Sequence, residues 1–143
     1  MTELPPNPAL RPLRPFVGTW DVEVPQFPGQ HGRATFEWLE GGAYLRFHAV
    51  APDPAPSATL IVSRDEESDD YTVFHYDSRG VSRVYQMSFD GRVWRQWRAA
   101  PGFHQRLAGT FSDDGTTIQA TWEKSPDGVT WEKDFDLTYT RVG

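Results

Sequence analysis

Arg83 and Tyr85 are the residues whose types and spacing point most directly to chemistry. Val81, Arg83, Tyr85, Met87 and Phe89 alternate with Ser82, Val84, Gln86 and Ser88, and period-two alternation puts one set on each face of a strand. The guanidinium thus shares the more apolar face with the phenol. A buried guanidinium has to be paired, because an isolated charge is costly to desolvate. Two partners suit it: a carboxylate of the chain, for which Asp77 is the candidate, or the polar head of a bound molecule.

Four histidines occur, His31, His48, His75 and His104. His75 shares a face with Tyr71 and Val73, so it is the one expected to face an interior. His48 and His104 fall on the more polar phase of their strands, and His31 sits in a glycine-rich turn. No two have ligand spacing and no His-Glu-x-x-His occurs, so no protein-built metal site is expected. The carboxylates belong mostly to turns, and Asp134 and Asp136 fall on the wet face of the last strand. Nothing selects the facing carboxyl pair of a glycosidase. There is no Gly-x-Ser-x-Gly elbow and no phosphate-cradling glycine loop. No catalytic residue is assigned; were a reaction to occur in a pocket, His75 or Tyr85 would be the group for proton transfer.

These side chains need elements to hold them. Asp134-Phe135-Asp136-Leu137-Thr138-Tyr139-Thr140 alternates polar with apolar, as do Thr117 to Glu123 and Arg33 to Trp38. Such segments are half-buried strands. Turn chemistry separates them at Pro28-Gly29, Glu40-Gly41-Gly42, Asp65 to Asp70, Asp77 to Gly80, Asp90-Gly91, Pro101-Gly102, Ser112 to Gly115 and Ser125 to Gly128. The proline-rich loop Pro52 to Ser57 adds one more connection. About ten strands are therefore expected, each antiparallel to its predecessor because the links are short. Ten such strands leave two exposed edges unless the sheet closes. The fold class predicted is all-β: an antiparallel up-and-down barrel of about ten strands, with a two-sheet sandwich as the rival. Asn7 before Pro8, with Leu10 and Leu13 on one face, predicts a helical turn at about 8–14 that covers one end.

The chain has 143 residues, which suits one domain, 1–143. Six Trp, five Tyr and nine Phe are rings that either fill a core or line a pocket for a flat apolar ligand. The strand phases turn Trp20, Val22, Phe36, Trp38, Leu45 and Phe47 inward, and likewise Ile118, Trp122, Phe135, Leu137 and Tyr139. Trp94 and Trp97 sit on opposite faces, so one of them is inside. Ten strands enclose more space than eight, which already leave room for one small ligand. The candidate ligand-lining residues are Arg83, Tyr85, His75, Trp38, Trp97, Trp122 and Tyr139. There is no cysteine, which excludes disulfides and thiolate chemistry. The net charge of −6 and the lack of a basic stripe argue against nucleic acid. No apolar run reaches the ~18 residues of a membrane-spanning helix, and Met1 to Pro15 lacks the pattern of a signal peptide. The expected setting is a cytoplasmic monomer or homodimer with a small hydrophobic ligand and no membrane partner.

Gly18-Thr19-Trp20 at the start of the first strand, with Arg141 near the end of the last, resembles the signature of the calycins, the lipocalin and fatty-acid-binding superfamily. The resemblance implies a Trp at the closed end of the barrel, packed beneath an arginine from the final strand. Phe16 to Trp20, Glu40-Gly41-Gly42, Tyr76 to Tyr85, Ser112 to Gly115 and Trp122 through Arg141 together resemble an uncharacterised bacterial family of lipocalin-like domains. That family implies the barrel and no particular activity. Fatty-acid-binding proteins use an Arg-x-Tyr pair, on their last strand, for a ligand carboxylate, and Arg83-Val84-Tyr85 is similar in type. The nitrobindins, a further group of ten-stranded barrels, hold haem through a histidine close to the C-terminus. Asp134 to Val142 contains none, so a haem cofactor would fall to His75, or failing that to His48 or His104. The function expected is binding of a small apolar or aromatic ligand with a polar head. The alternatives are haem binding and a small-molecule enzyme.

Overall fold

Leu10, Leu13 and Phe16 are spaced three apart, and side chains with that spacing stack along one edge of a 3₁₀ helix. The computed structural model, which describes residues 7–27, 29, 31–52 and 55–142, has a 3₁₀ helix at Pro8–Phe16. It runs two residues beyond the expected turn. Pro12 and Pro15 lie inside it and cannot donate to an α-helical ladder. Asn7 caps it as expected, its side-chain oxygen accepting from the Ala9 amide at 3.1 Å. Pro28, Asp53 and Pro54, which contribute to the expected turns and loops, lie outside the described residues.

Ten strands follow: β1 (Gly18–Glu23), β2 (His31–Leu39), β3 (Tyr44–Val50), β4 (Ala58–Arg64), β5 (Tyr71–Asp77), β6 (Ser82–Phe89), β7 (Val93–Arg98), β8 (His104–Phe111), β9 (Thr117–Ser125) and β10 (Glu132–Arg141). Each pairs antiparallel with its predecessor, and β1 pairs with β10, which closes the barrel. Trp20 lies opposite Arg141 at that seam. The sandwich alternative is thereby excluded, and the closed ten-stranded antiparallel barrel is consistent with a calycin-like fold. No helix among the described residues is long and apolar enough to cross a membrane.

The 3₁₀ helix plugs one end. Leu10, Leu13, Phe16 and Trp20 are all fully buried. The Phe16 ring meets Phe36, Phe89, Trp94 and Phe111 at centroid distances of 5.2, 4.9, 5.3 and 5.0 Å, within the range of favourable aromatic pairs. The Tyr71 hydroxyl donates to the Ala9 carbonyl at 2.8 Å, tying the plug to β5.

Arg141 completes the closure. Its guanidinium carbon lies 4.2 Å from the centroid of the Trp20 ring, while Nη1 and Nη2 donate to the carbonyls of Val17 and Pro15 at 2.8 and 2.6 Å. The Trp20 indole N–H donates to the Phe16 carbonyl at 2.9 Å. Gly18 makes this possible: its φ is +134°, and a Cβ there would sit 2.7 Å from Arg141 Nη1.

All eleven side chains expected inside belong to the buried core or pack against it. Of the two ambiguous tryptophans, Trp94 is the inner one. In β4, Leu60 and Val62 join the core.

Candidate functional site

Up-and-down topology puts the β1–β2, β3–β4, β5–β6, β7–β8 and β9–β10 connections at the end opposite the plug. Between that open end and the aromatic plug lies a cavity of about 680 Å³. A shallower depression of about 460 Å³, lined by Asp21, His31 and Arg33 among others, is a surface feature beside β1 to β3.

Five of the seven residues singled out from sequence line the cavity: His75, Arg83, Tyr85, Trp122 and Tyr139. Trp38 points inward but packs near the plugged end, opposite Leu45, and is not part of the wall. Trp97 is the correction. It alternates with the buried Trp94 and Gln96, so it faces outward, beside Gln86 and Arg106.

The Asp77 carboxylate has no exposed side-chain surface and holds two partners. Arg79 donates to its two oxygens at 3.2 and 2.7 Å, and His75 Nε2 lies 2.9 Å away. Hydrogen bonding from Arg79, aided by His75 and opposed by burial, holds this carboxyl far below the usual range. Asp77 is therefore ionised and can only accept, so His75 Nε2 carries the proton and Nδ1 is the nitrogen left over. Chemically, His75 could accept a proton from a bound molecule.

Because Asp77 is taken, it does not pair with Arg83. Among the described residues Arg83 has no carboxylate partner; its guanidinium carbon stands 5.5 Å from the centroid of the Phe103 ring. Asp134 also lines the rim, contrary to its expected place on the wet face. A register shift between Lys133 and Phe135 explains it, since a bulge re-aims the extra residue. Lys124 offsets its charge at 3.8 Å.

Deeper in, the Tyr85 hydroxyl donates to Gln105 Oε1 at 2.9 Å. Burial pushes the Tyr139 hydroxyl well above its usual range. Phe47, Trp94 and Tyr139 form the floor, with centroids 5.9 to 6.5 Å apart. Trp94 fits against β8 because Gly109 is opposite it; a Cβ there would lie 3.2 Å from the indole.

The wall does not suit a haem iron at His75. Asp77 occupies Nε2, the nitrogen that projects away from the backbone, and Nδ1 adjoins the residue's own Cβ, where a porphyrin would meet the strand. His48 is turned outward to Thr59 at 2.9 Å, and the His104 ring lies over Gly128; neither lines the cavity.

Gln96 and Gln105 were not anticipated as wall residues; Asp77 was expected only as a partner for Arg83, and Trp94 takes the place expected for Trp97. Gln105 carried a legible signal. It shares its phase with Leu107 and Phe111, the same polar-among-apolar placement that singles out Arg83. Asp77 was masked by its turn context. No protein-family model matches the chain, and no curated protein is significantly similar to it.

Proposed function

We propose that this chain binds a small apolar or aromatic molecule in the barrel, with the polar head of that molecule at Arg83. One observation carries the reading: a cavity of about 680 Å³, plugged at one end and open at the other, walled mainly by apolar and aromatic side chains. Ligand sites typically measure about 300–1,000 Å³ and have this character. Arg83 supports the polar head, because it stands at the rim without a carboxylate partner among the described residues. The lipocalin-like resemblance agrees with a binding barrel and names no ligand.

Titration with dodecanoate and dodecanol, followed by Trp fluorescence, tests the proposal. Both should saturate at one site per chain. Arg83→Leu should weaken dodecanoate on the order of tenfold and leave dodecanol unchanged. Absence of saturable binding by either probe refutes the binding function; equal loss for both refutes the role of Arg83.

A further inference from the structure

The cavity has two unlike sides. Val22, Ala49, Leu60, Phe135 and Leu137, from β1, β3, β4 and β10, make an apolar side. The side built by β5 to β8 carries His75, Tyr85, Gln96 and Gln105. The register makes these neighbours: Gln96 is opposite Met87 and Leu107, each two residues from Tyr85 and Gln105 respectively. Tyr85 reaches across β7 to Gln105.

Gln96 is 2 % exposed, yet its amide makes no side-chain hydrogen bond among the described residues. Its amide atoms are not sealed either: the only sealed, unpartnered side-chain polar atoms among the described residues are the indole nitrogens of Trp38 and Trp94. The amide therefore opens onto the cavity that Gln96 lines. Gln105 uses its carbonyl for Tyr85 and keeps its NH₂ group free in the same way. Buried polar groups are nearly always hydrogen-bonded, so two amides facing an apolar hollow call for a partner inside it.

We propose that the barrel selects a flat heteroaromatic ligand whose edge carries adjacent donor and acceptor atoms, a lactam or imide, facing Gln96 and Gln105. This rests on the binding function above and specifies its ligand. A primary amide presents an acceptor and donors side by side, and a lactam edge presents the complement. A carboxylate offers acceptors only and would bring a charge to a depth where no cation stands among the described residues; it belongs at the rim with Arg83. The rings beside the amides favour an aromatic ligand: Tyr85 and Trp122 lie 5.7 Å apart with their planes inclined at 58°, and the opposite side is apolar.

The matched probes are 2-quinolone and 1-methyl-2-quinolone, which differ in the lactam N–H. The wild-type chain should bind 2-quinolone about tenfold more tightly, the effect of leaving a buried acceptor unpaired. Gln96→Met and Gln105→Met, of similar volume, should abolish that preference while dodecanol binding persists. Equal affinity for the two quinolones in the wild-type chain, with dodecanol still bound, overturns the lactam-edge proposal alone. Failure of every probe overturns the binding function with it. The wild-type comparison needs no variant to fold.

Discussion

Replacing Arg141 by Met removes the contact that joins the first strand, the last strand and the plug. The side chain makes a partly buried hydrogen bond to the Val17 carbonyl, an exposed one to the Pro15 carbonyl and a stacked contact on Trp20. Hydrogen bonds to charged groups contribute about 1.5–3 kcal/mol, less at exposed sites. The cation–π contact of a partly exposed guanidinium adds about 0.5–1 kcal/mol. After discounting for solvent, the loss should be about 3 kcal/mol, a large share of the ~5–15 kcal/mol stability of a domain. Urea unfolding followed by far-UV circular dichroism measures it, with the m-value unchanged. In a thermal scan the same loss lowers Tm by roughly 10 °C for a chain of this size. Gly18→Ala perturbs the same contact from the other side. The new Cβ would displace the guanidinium and strain a backbone at φ +134°, so the double variant should be little worse than the more damaging single one. A loss below about 1 kcal/mol in Arg141→Met, or full additivity with Gly18→Ala, would refute the view that this stack closes the barrel.

Asp77→Asn should destabilise the chain at neutral pH, and the deficit should shrink in acid. The folded carboxyl titrates far below its ordinary value, so its contribution is complete above the unfolded pKa of about 3.9 and fades as pH falls below that. Urea midpoints at pH 7 and pH 3 measure the gap; a gap that does not narrow contradicts the assignment. Trp122→Phe should remove part of the fluorescence change on ligand binding, whereas Trp97→Phe should leave that change intact, because of these two tryptophans Trp122 lines the cavity and Trp97 does not. The reverse pattern in a titration would mean that the site is on the outer surface.

Barrel closure was legible because two levels of the sequence agreed. Strict alternation in Thr117 to Glu123 and Asp134 to Thr140 set the inner face, and turn residues at every connection left no room for crossovers. Gly18, Trp20 and Arg141 then identified the seam. The site was legible where one polar residue broke an apolar phase, as with Arg83 and His75. It was illegible where packing or turns decided the outcome. Val93 to Arg98 offers a tryptophan on each face, and the space opposite Gly109 accommodates Trp94 on the inner one. Asp77 looks like a turn acid until its carboxylate meets His75 and Arg79 in three dimensions. Asp134 needed the bulge in β10, which alternation does not reveal.

Filling the hollow is the most direct check of a binding barrel. Ala49 is a small side chain of the cavity wall, and Ala49→Trp would put an indole where a guest should lie. Calorimetric titration with dodecanoate should show one molecule bound per wild-type chain and none to Ala49→Trp, with the barrel still folded by circular dichroism. Equal binding to the filled and unfilled proteins would contradict an internal site.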